Sequence, residues 1–339
     1  MTRCSLAILL LAMLLQGCTN PDAKPPRVRT SYLGMDSANS DEPVVIEQWT
    51  FMGVEGQRLV TPRWEIYTTL QNERLRSSLP SFYEAALIEY TSSLGKLPPP
   101  PTPLTSYLFG DRRQWKNKTR MMLPHLASSF ESLGRGGFTA DGVAVLYDID
   151  DGQWDHDTLA LASHEGWHQY AQTTFEHQLP AWLDEGIATL FEGFRLRRGE
   201  IEFNVASNRE RRYRLREAAR SKTLIPLQTL LESDPHDVLA KSKSTLLTYY
   251  AQVWALARFL KDGEDGRYRP ALENVLLLTA EGDLYRQLLR NVSREEANGD
   301  RATLVGRRMI EIFFNEDFDA FDTSYQAWIE EISRSRWGW

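Results

Sequence analysis

Two histidines stand four positions apart at His164 and His168, and a carboxylate, Glu165, directly follows the first. On a helix, residues four apart differ by about 40° in azimuth and about 6 Å along the axis, so both imidazoles project toward one point. Two neutral ring nitrogens meeting there can grip a single metal ion. Glu165 lies about 100° around the same helix, displaced from the pair but within reach of a metal-bound water. Pro180 opens the amphipathic stretch PAWLDEGIA (180–188), a helix start by its position. The short connection at 177–180 folds this second helix back against the first. That arrangement aims Glu185 at the same metal, with Asp184 as the alternative ligand. Two histidines, one carboxylate and an open fourth position form the ligand set of a catalytic zinc site, with one Zn2+ ion as the expected cofactor. A structural site would be closed by four protein ligands.

The elements that must hold these residues are visible in the pattern. VTPRWEIYTT (60–69) alternates in part and suits a strand, while Leu75, Leu79, Phe82, Ala86 and Tyr90 recur at helical spacing over 72–94. LPPPPTP (97–103) is a stiff connector, LTSYLFG (104–110) a second strand, and Asp111 the cap of a following helix. GRGG (134–137) breaks the chain before FTADGVAVLYDID (138–150), where Gly142 opens a third strand. The rest reads as helices at 158–176, 181–197, 208–222, 227–232, 245–262, 270–290 and 302–332. Strands and helices first and helices alone afterwards predict an α+β fold rather than a parallel βαβ array.

Composition narrows the classes. The 339 residues include 39 Lys and Arg against 46 Asp and Glu, a net charge of −7, which argues against a nucleic-acid partner. The only two cysteines are Cys4 and Cys18, so disulfides and thiolate ligands are excluded from the body of the chain. Met1-Thr2-Arg3 followed by an apolar run over 6–15 reads as a signal peptide, since roughly 20 residues are needed to span a bilayer. Leu15-Gln16-Gly17-Cys18 is similar to a bacterial lipobox, with Cys18 the expected site of lipidation. The expected organisation is a lipoprotein signal peptide at 1–17, a flexible tether at 18–58, a catalytic domain at 59–262 and a helical C-terminal region at 263–339. The expected location is the bacterial cell envelope, anchored to a membrane through the N-terminal lipid and facing the periplasm or exterior.

HEGWHQ (164–169) followed by LPAWLDEGIATLFEG (179–193) resembles the gluzincin metallopeptidases, and more closely the peptidase MA-like bacterial proteins grouped with the DUF1570 family. GGFTADGVAVLYD (136–148), IPLQTLL (225–231) and YYAQVWALARFL (249–260) extend the likeness over roughly 60–260. The resemblance implies a zincin-like fold: a small mixed sheet with an edge strand above the active-site helix, and a helical lobe below. It implies that substrate backbone pairs with the strand at Val143–Tyr147. It also implies that Tyr250 donates a hydrogen bond to the reacting carbonyl oxygen, with Tyr249 the alternative. Many gluzincins carry an aspartate four residues after the glutamate ligand, where this chain has Thr189; Glu192 is the candidate orienting a ligand histidine instead. Trp167 is expected to pack.

The expected function is a membrane-anchored extracytoplasmic zinc-dependent peptidase acting on a peptide or protein substrate. The alternatives are a non-enzymatic scaffold lipoprotein of the same fold and an amidase acting on cell-wall peptides. His125, His156, His177 and His236 lack partners at metal spacing. Arg209–Arg216 is a basic stretch, read either as a solvated helix face with Glu210 and Glu217 as partners or as a contact for anionic lipid headgroups or an acidic substrate.

Overall fold

The computed structural model describes residues 44–127, 136–149, 155–197, 200–204, 208–235, 238, 242–297, 299 and 301–334. The segment expected as a signal peptide, Cys18, the part of the expected tether up to 43, and His236 lie outside them. A six-stranded mixed sheet has the order β1-β2-β3-β4-β6-β5, with β1 Val45–Phe51, β2 Val54–Val60, β3 Trp64–Thr68, β4 Leu104–Phe109, β5 Phe138–Ala140 and β6 Val143–Tyr147. β3, β4 and β6 run parallel, and β5 pairs antiparallel with β6. The α+β expectation therefore holds, whereas the edge strand does not fall at Val143–Tyr147. β6 is interior, and the edge is β5. Asp141 and Gly142 both have positive φ (51° and 74°), the two-residue turn that an Asp-Gly pair favours, and they fold 138–147 into a hairpin.

The ordered sheet also begins inside the segment expected as a tether to residue 58. Met52 and Gly53 (φ 52° and 79°) close the β1–β2 hairpin from Val45 onward, with Leu59 buried beneath it. Of the seven β1 residues only Trp49 and Phe51 are partly buried, and the apolar Val45 and Ile46 are exposed.

One face of the sheet carries α1 Glu73–Ser92 and α3 Asp155–Thr174; α2 Arg112–Met122 covers the other, its Trp115 Nε1 donating to Val145 O at 3.0 Å. Asn72 caps α1 and Asp111 caps α2 through their side chains. Below α3 come α4 Ala181–Phe191, the hairpin β7 Phe194–Arg197 and β8 Glu200–Phe203, then α5 Arg209–Ser221, α6 Leu227–Glu232, α7 Lys243–Asp262, α8 Arg269–Ala280 and α9 Leu284–Arg290. Short helical turns lead to α10 Phe318–Arg334. The helix expected at 181–197 thus ends at Phe191. The one expected at 270–290 breaks at Gly282 (φ 76°), and the one expected at 302–332 breaks at Asn315 (φ 51°). One apolar core runs from Leu59 to Ile332, so the helices beyond 262 share it with the sheet; Tyr325 Oη donates to Gln252 O at 2.7 Å.

Candidate metal centre

α3 is fixed before it presents anything. Tyr90 Oη on α1 donates to Ser163 O at 2.6 Å, an approach open only because Gly166 has no Cβ, which would stand 2.7 Å from that hydroxyl. Gln169, wholly buried, accepts from Ser106 Oγ (2.7 Å) and donates to Thr105 O (2.5 Å), pinning the helix to β4. α4 is set against α7 equally closely, since a Cβ on Gly186 would fall 2.8 Å from Val253 O.

These anchors bring His164, His168 and Glu185 together. The Nε2 atoms of the two histidines are 3.2 Å apart, and Oε2 of Glu185 lies 3.4 Å from His164 Nε2 and 3.6 Å from His168 Nε2. Each imidazole is held from behind by a carboxylate. His164 Nδ1 meets Glu192 Oε1 at 2.7 Å, and His168 Nδ1 meets Asp184 Oδ2 at 3.0 Å. A carboxylate only accepts, so each Nδ1 carries the hydrogen and each neutral ring turns a lone pair inward at Nε2. Three acceptors then converge, their ligating atoms within 4.8 Å of one another, and Glu185 Oε2 has no hydrogen-bond donor. Such a triangle fits a metal cation, and these three residues could hold one.

The electrostatics agree. Burial would lower both histidines, but Glu185 and Glu192 outweigh it at His164, and Asp184 with Glu185 outweighs it strongly at His168. Burial would raise Glu185, yet the two imidazoles keep it below its usual range. For Glu192, burial is outweighed by Arg211 and then His164, taking the carboxyl down to about 2. A pocket that attracts a proton between the rings attracts a divalent cation by the same field.

Glu165 sits in the same region with a different character. Burial dominates and pushes its carboxyl up to about 7, against the pull of His168, His164 and the Thr139 hydroxyl. Thr139 Oγ1 on β5 donates to Oε2 at 2.8 Å, while Oε1 has no partner. Oε1 faces Gly137, where a Cβ would lie 3.2 Å away. Of the two tyrosines, Tyr250 stands edge-on to His164, ring centres 6.4 Å apart. The buried Tyr249 hydroxyl has no hydrogen-bond partner; burial first, then Glu185, Asp234 and Asp184, raise it well above the usual phenol range.

Several residues acquire positions that their spacing did not reveal. Asp184, the alternative ligand, lies on the Nδ1 side of His168 and also accepts from Trp167 Nε1 at 2.8 Å, so Trp167 both packs and donates. The basic stretch divides. Arg214 pairs with Glu210 and Glu217 and Arg216 donates to Ser333 O, but Arg211 is buried against Glu192 rather than solvated. His156 is exposed and stacks on Phe194, and His177 packs beside Tyr285. Thr139 and Arg211 were missed because each comes from an element separate from the motif helix, and Gln169, on that helix, because its partners lie on β4; the Asp-Gly turn beside Thr139 was the available signal.

No curated protein and no solved structure matches the chain. Residues 158–272, about a third of the chain, carry all three donors and the two carboxylates behind them, and this stretch matches the family described as Protein of unknown function (DUF1570).

Proposed function

We propose that the chain is a zinc-dependent peptidase of zincin-like architecture, anchored to a membrane and working outside the cytoplasm. The observation that carries the reading is the acceptor triangle of His164, His168 and Glu185 with the near-neutral carboxyl of Glu165 one residue from the first ligand. The antiparallel edge hairpin β5–β6 beside the motif helix supports the zincin-like arrangement. When bound, zinc would acidify a water and polarise a scissile carbonyl. Glu165 would take the proton at Oε1, with Thr139 holding Oε2, and return it to the leaving amine. A tyrosine of α7 would donate to the developing oxyanion.

One observation favours the scaffold alternative: His164, Glu165 and His168 have no exposed surface. Weighing the other way, a site without turnover has no need of a general base with an unpartnered oxygen. Metal analysis combined with cleavage of a peptide library, cross-linked cell-wall peptides included, separates these readings when wild type is compared with Glu165→Gln. Stoichiometric zinc with no Glu165-dependent cleavage would favour the scaffold, and a wild type that takes up no zinc sinks both. The anchor rests on the lipobox-like sequence at Cys18, and among the described residues no helix is long and apolar enough to cross a membrane. Cys18→Ser should move the protein from the membrane fraction to the soluble one; unchanged retention overturns the anchor.

A further inference from the structure

The carboxylate behind His164 is itself held by a second helix. Glu192 is 3% exposed, and a buried carboxylate without compensation is strongly destabilising. Arg211, 1% exposed, meets it in a two-point fork, Nε to Oε2 at 2.9 Å and Nη2 to Oε1 at 2.7 Å. Asn208 Nδ2 donates to the same Oε2 at 2.7 Å and to Thr189 O at 3.1 Å. Asn208 is also the cap of α5, its Oδ1 accepting from Arg211 N at 3.1 Å, so the first turn of this helix is built around Glu192. The Arg211 guanidinium also lies 5.0 Å from the ring centre of Tyr250 on α7. One side chain therefore joins the end of α4, the start of α5 and the middle of α7.

His168 is supported differently. Its carboxylate, Asp184, takes hydrogen bonds from Trp167 and His168 and, among the described residues, has no Lys or Arg partner. The two ligand imidazoles are thus backed by unlike groups, one a neutralised ion pair and the other a carboxylate whose second partner is an indole.

We propose that Arg211 is a positioning residue of the candidate metal centre: its fork fixes the Glu192 carboxylate in the orientation that meets His164 Nδ1, and so sets the direction and donor strength of His164 Nε2. The proposal rests on the metal-site reading above. It requires a planar two-point donor, which arginine has and lysine lacks.

The test uses the full chain, loaded with cobalt(II) for its visible spectrum and with zinc in competition against a chelator of known affinity. Arg211→Met should weaken zinc binding by about 10–100-fold, the usual effect of losing a group behind a ligand, and should change the cobalt spectrum. Arg211→Lys should recover only part of the loss. Arg214→Met, at a partly buried neighbour that pairs with Glu210 and Glu217, should match wild type in both. Because Arg211 acts through Glu192, Arg211→Met should add no further loss in a Glu192→Gln background. Wild-type affinity and spectrum in Arg211→Met, or an equal loss with and without Glu192, overturns the proposal while leaving the metal site standing. A wild type that takes up no metal overturns the site reading itself, and this proposal with it. If Arg211→Met does not fold, Arg211→Lys carries the same comparison in both backgrounds.

Discussion

His164 Nε2 and His168 Nε2 face one another at 3.2 Å, and in the neutral rings each Nδ1 keeps the one ring hydrogen against its carboxylate, leaving both Nε2 atoms as acceptors. Two lone pairs at that distance, with Glu185 Oε2 beside both, repel unless a cation joins them. Metal binding should therefore stabilise the fold. At a free-ion concentration near 1,000 times Kd the gain is about 4 kcal/mol, or on the order of 5–10 °C in Tm. Scanning calorimetry of chelated and zinc-loaded protein measures it. Glu185→Gln should abolish most of the difference, and an unchanged Tm on chelation in wild type contradicts the site.

Glu165 gives a pH dependence of defined sign. Its carboxyl is raised to about 7 in the metal-free fold, above its ordinary 4.5, so the folded chain binds a proton that the unfolded chain has released. The relative stability this gives is fully present below pH 4.5 and disappears as pH rises through 7, a difference on the order of 3 kcal/mol. Urea titrations of metal-free wild type and Glu165→Gln between pH 5 and 8 should show wild type losing ground to the variant as pH rises. Parallel curves would contradict a buried, near-neutral carboxyl. With metal bound, the same variant should retain zinc yet lose about 100–10,000-fold in cleavage rate, the range for a removed general base.

The local half of this centre was legible in the sequence. His164, Glu165 and His168 share one helix, where spacing alone defines geometry, and Glu185 follows after a connection too short to allow many arrangements. Glu192 required the family likeness, because a carboxylate seven positions beyond a ligand carries no local signal. Arg211 and Thr139 stayed hidden for a physical reason: their partners lie 19 and 26 residues away, and only tertiary packing unites them. A buried arginine inside an Arg-rich helix has no local distinction from its solvated neighbours. In the fold, the strand after Gly142 was legible as β6, while β1 and β5 were missed: the turns at Met52-Gly53 and Asp141-Gly142 were the strongest marks, β1 is mostly exposed and β5 has three residues.

Gly186 makes the helix pairing behind Glu185 testable. A methyl group there would press against Val253 O at 2.8 Å and the Ala257 methyl at 3.1 Å, both on α7. Gly186→Ala improves intrinsic helix propensity by up to about 1 kcal/mol, so a surface glycine would gain stability from the change. Here overpacking should win, with a net loss of about 1–3 kcal/mol in urea unfolding and weaker zinc binding as α4 shifts. A stability gain would mean that the α4–α7 contact yields more easily than its backbone approach implies.

Gly137 tests the base rather than the ligands. A Cβ at this position would stand 3.2 Å from Glu165 Oε1 and 3.3 Å from its Cγ, with Leu146 Cβ at 3.0 Å on the far side. Gly137→Ala should displace the Glu165 carboxylate while leaving His164, His168 and Glu185 untouched. Cleavage should fall about 10–100-fold, in line with the cost of small misplacements near reacting atoms, at wild-type zinc stoichiometry. Loss of zinc in this variant would show that the β5 side supports the ligands as well as the base.

The α7 tyrosines separate by their surroundings. Tyr249 Oη is buried without a hydrogen-bond partner in a field set by Glu185, Asp234 and Asp184. An unsatisfied buried hydroxyl costs about 1–3 kcal/mol, a cost that persists in a fold when the group serves a bound ligand. Tyr249→Phe should thus raise stability by about 1 kcal/mol and lower kcat about 100-fold or more, as loss of an oxyanion donor does. Tyr250 is placed otherwise, its ring between His164 and the Arg211 guanidinium, where its aromatic face is in use. Tyr250→Phe keeps that ring and should change stability little. If Tyr250→Phe abolishes cleavage while Tyr249→Phe is fully active, the donor is Tyr250, as the family likeness suggests, and the unpartnered Tyr249 hydroxyl serves no step of the reaction.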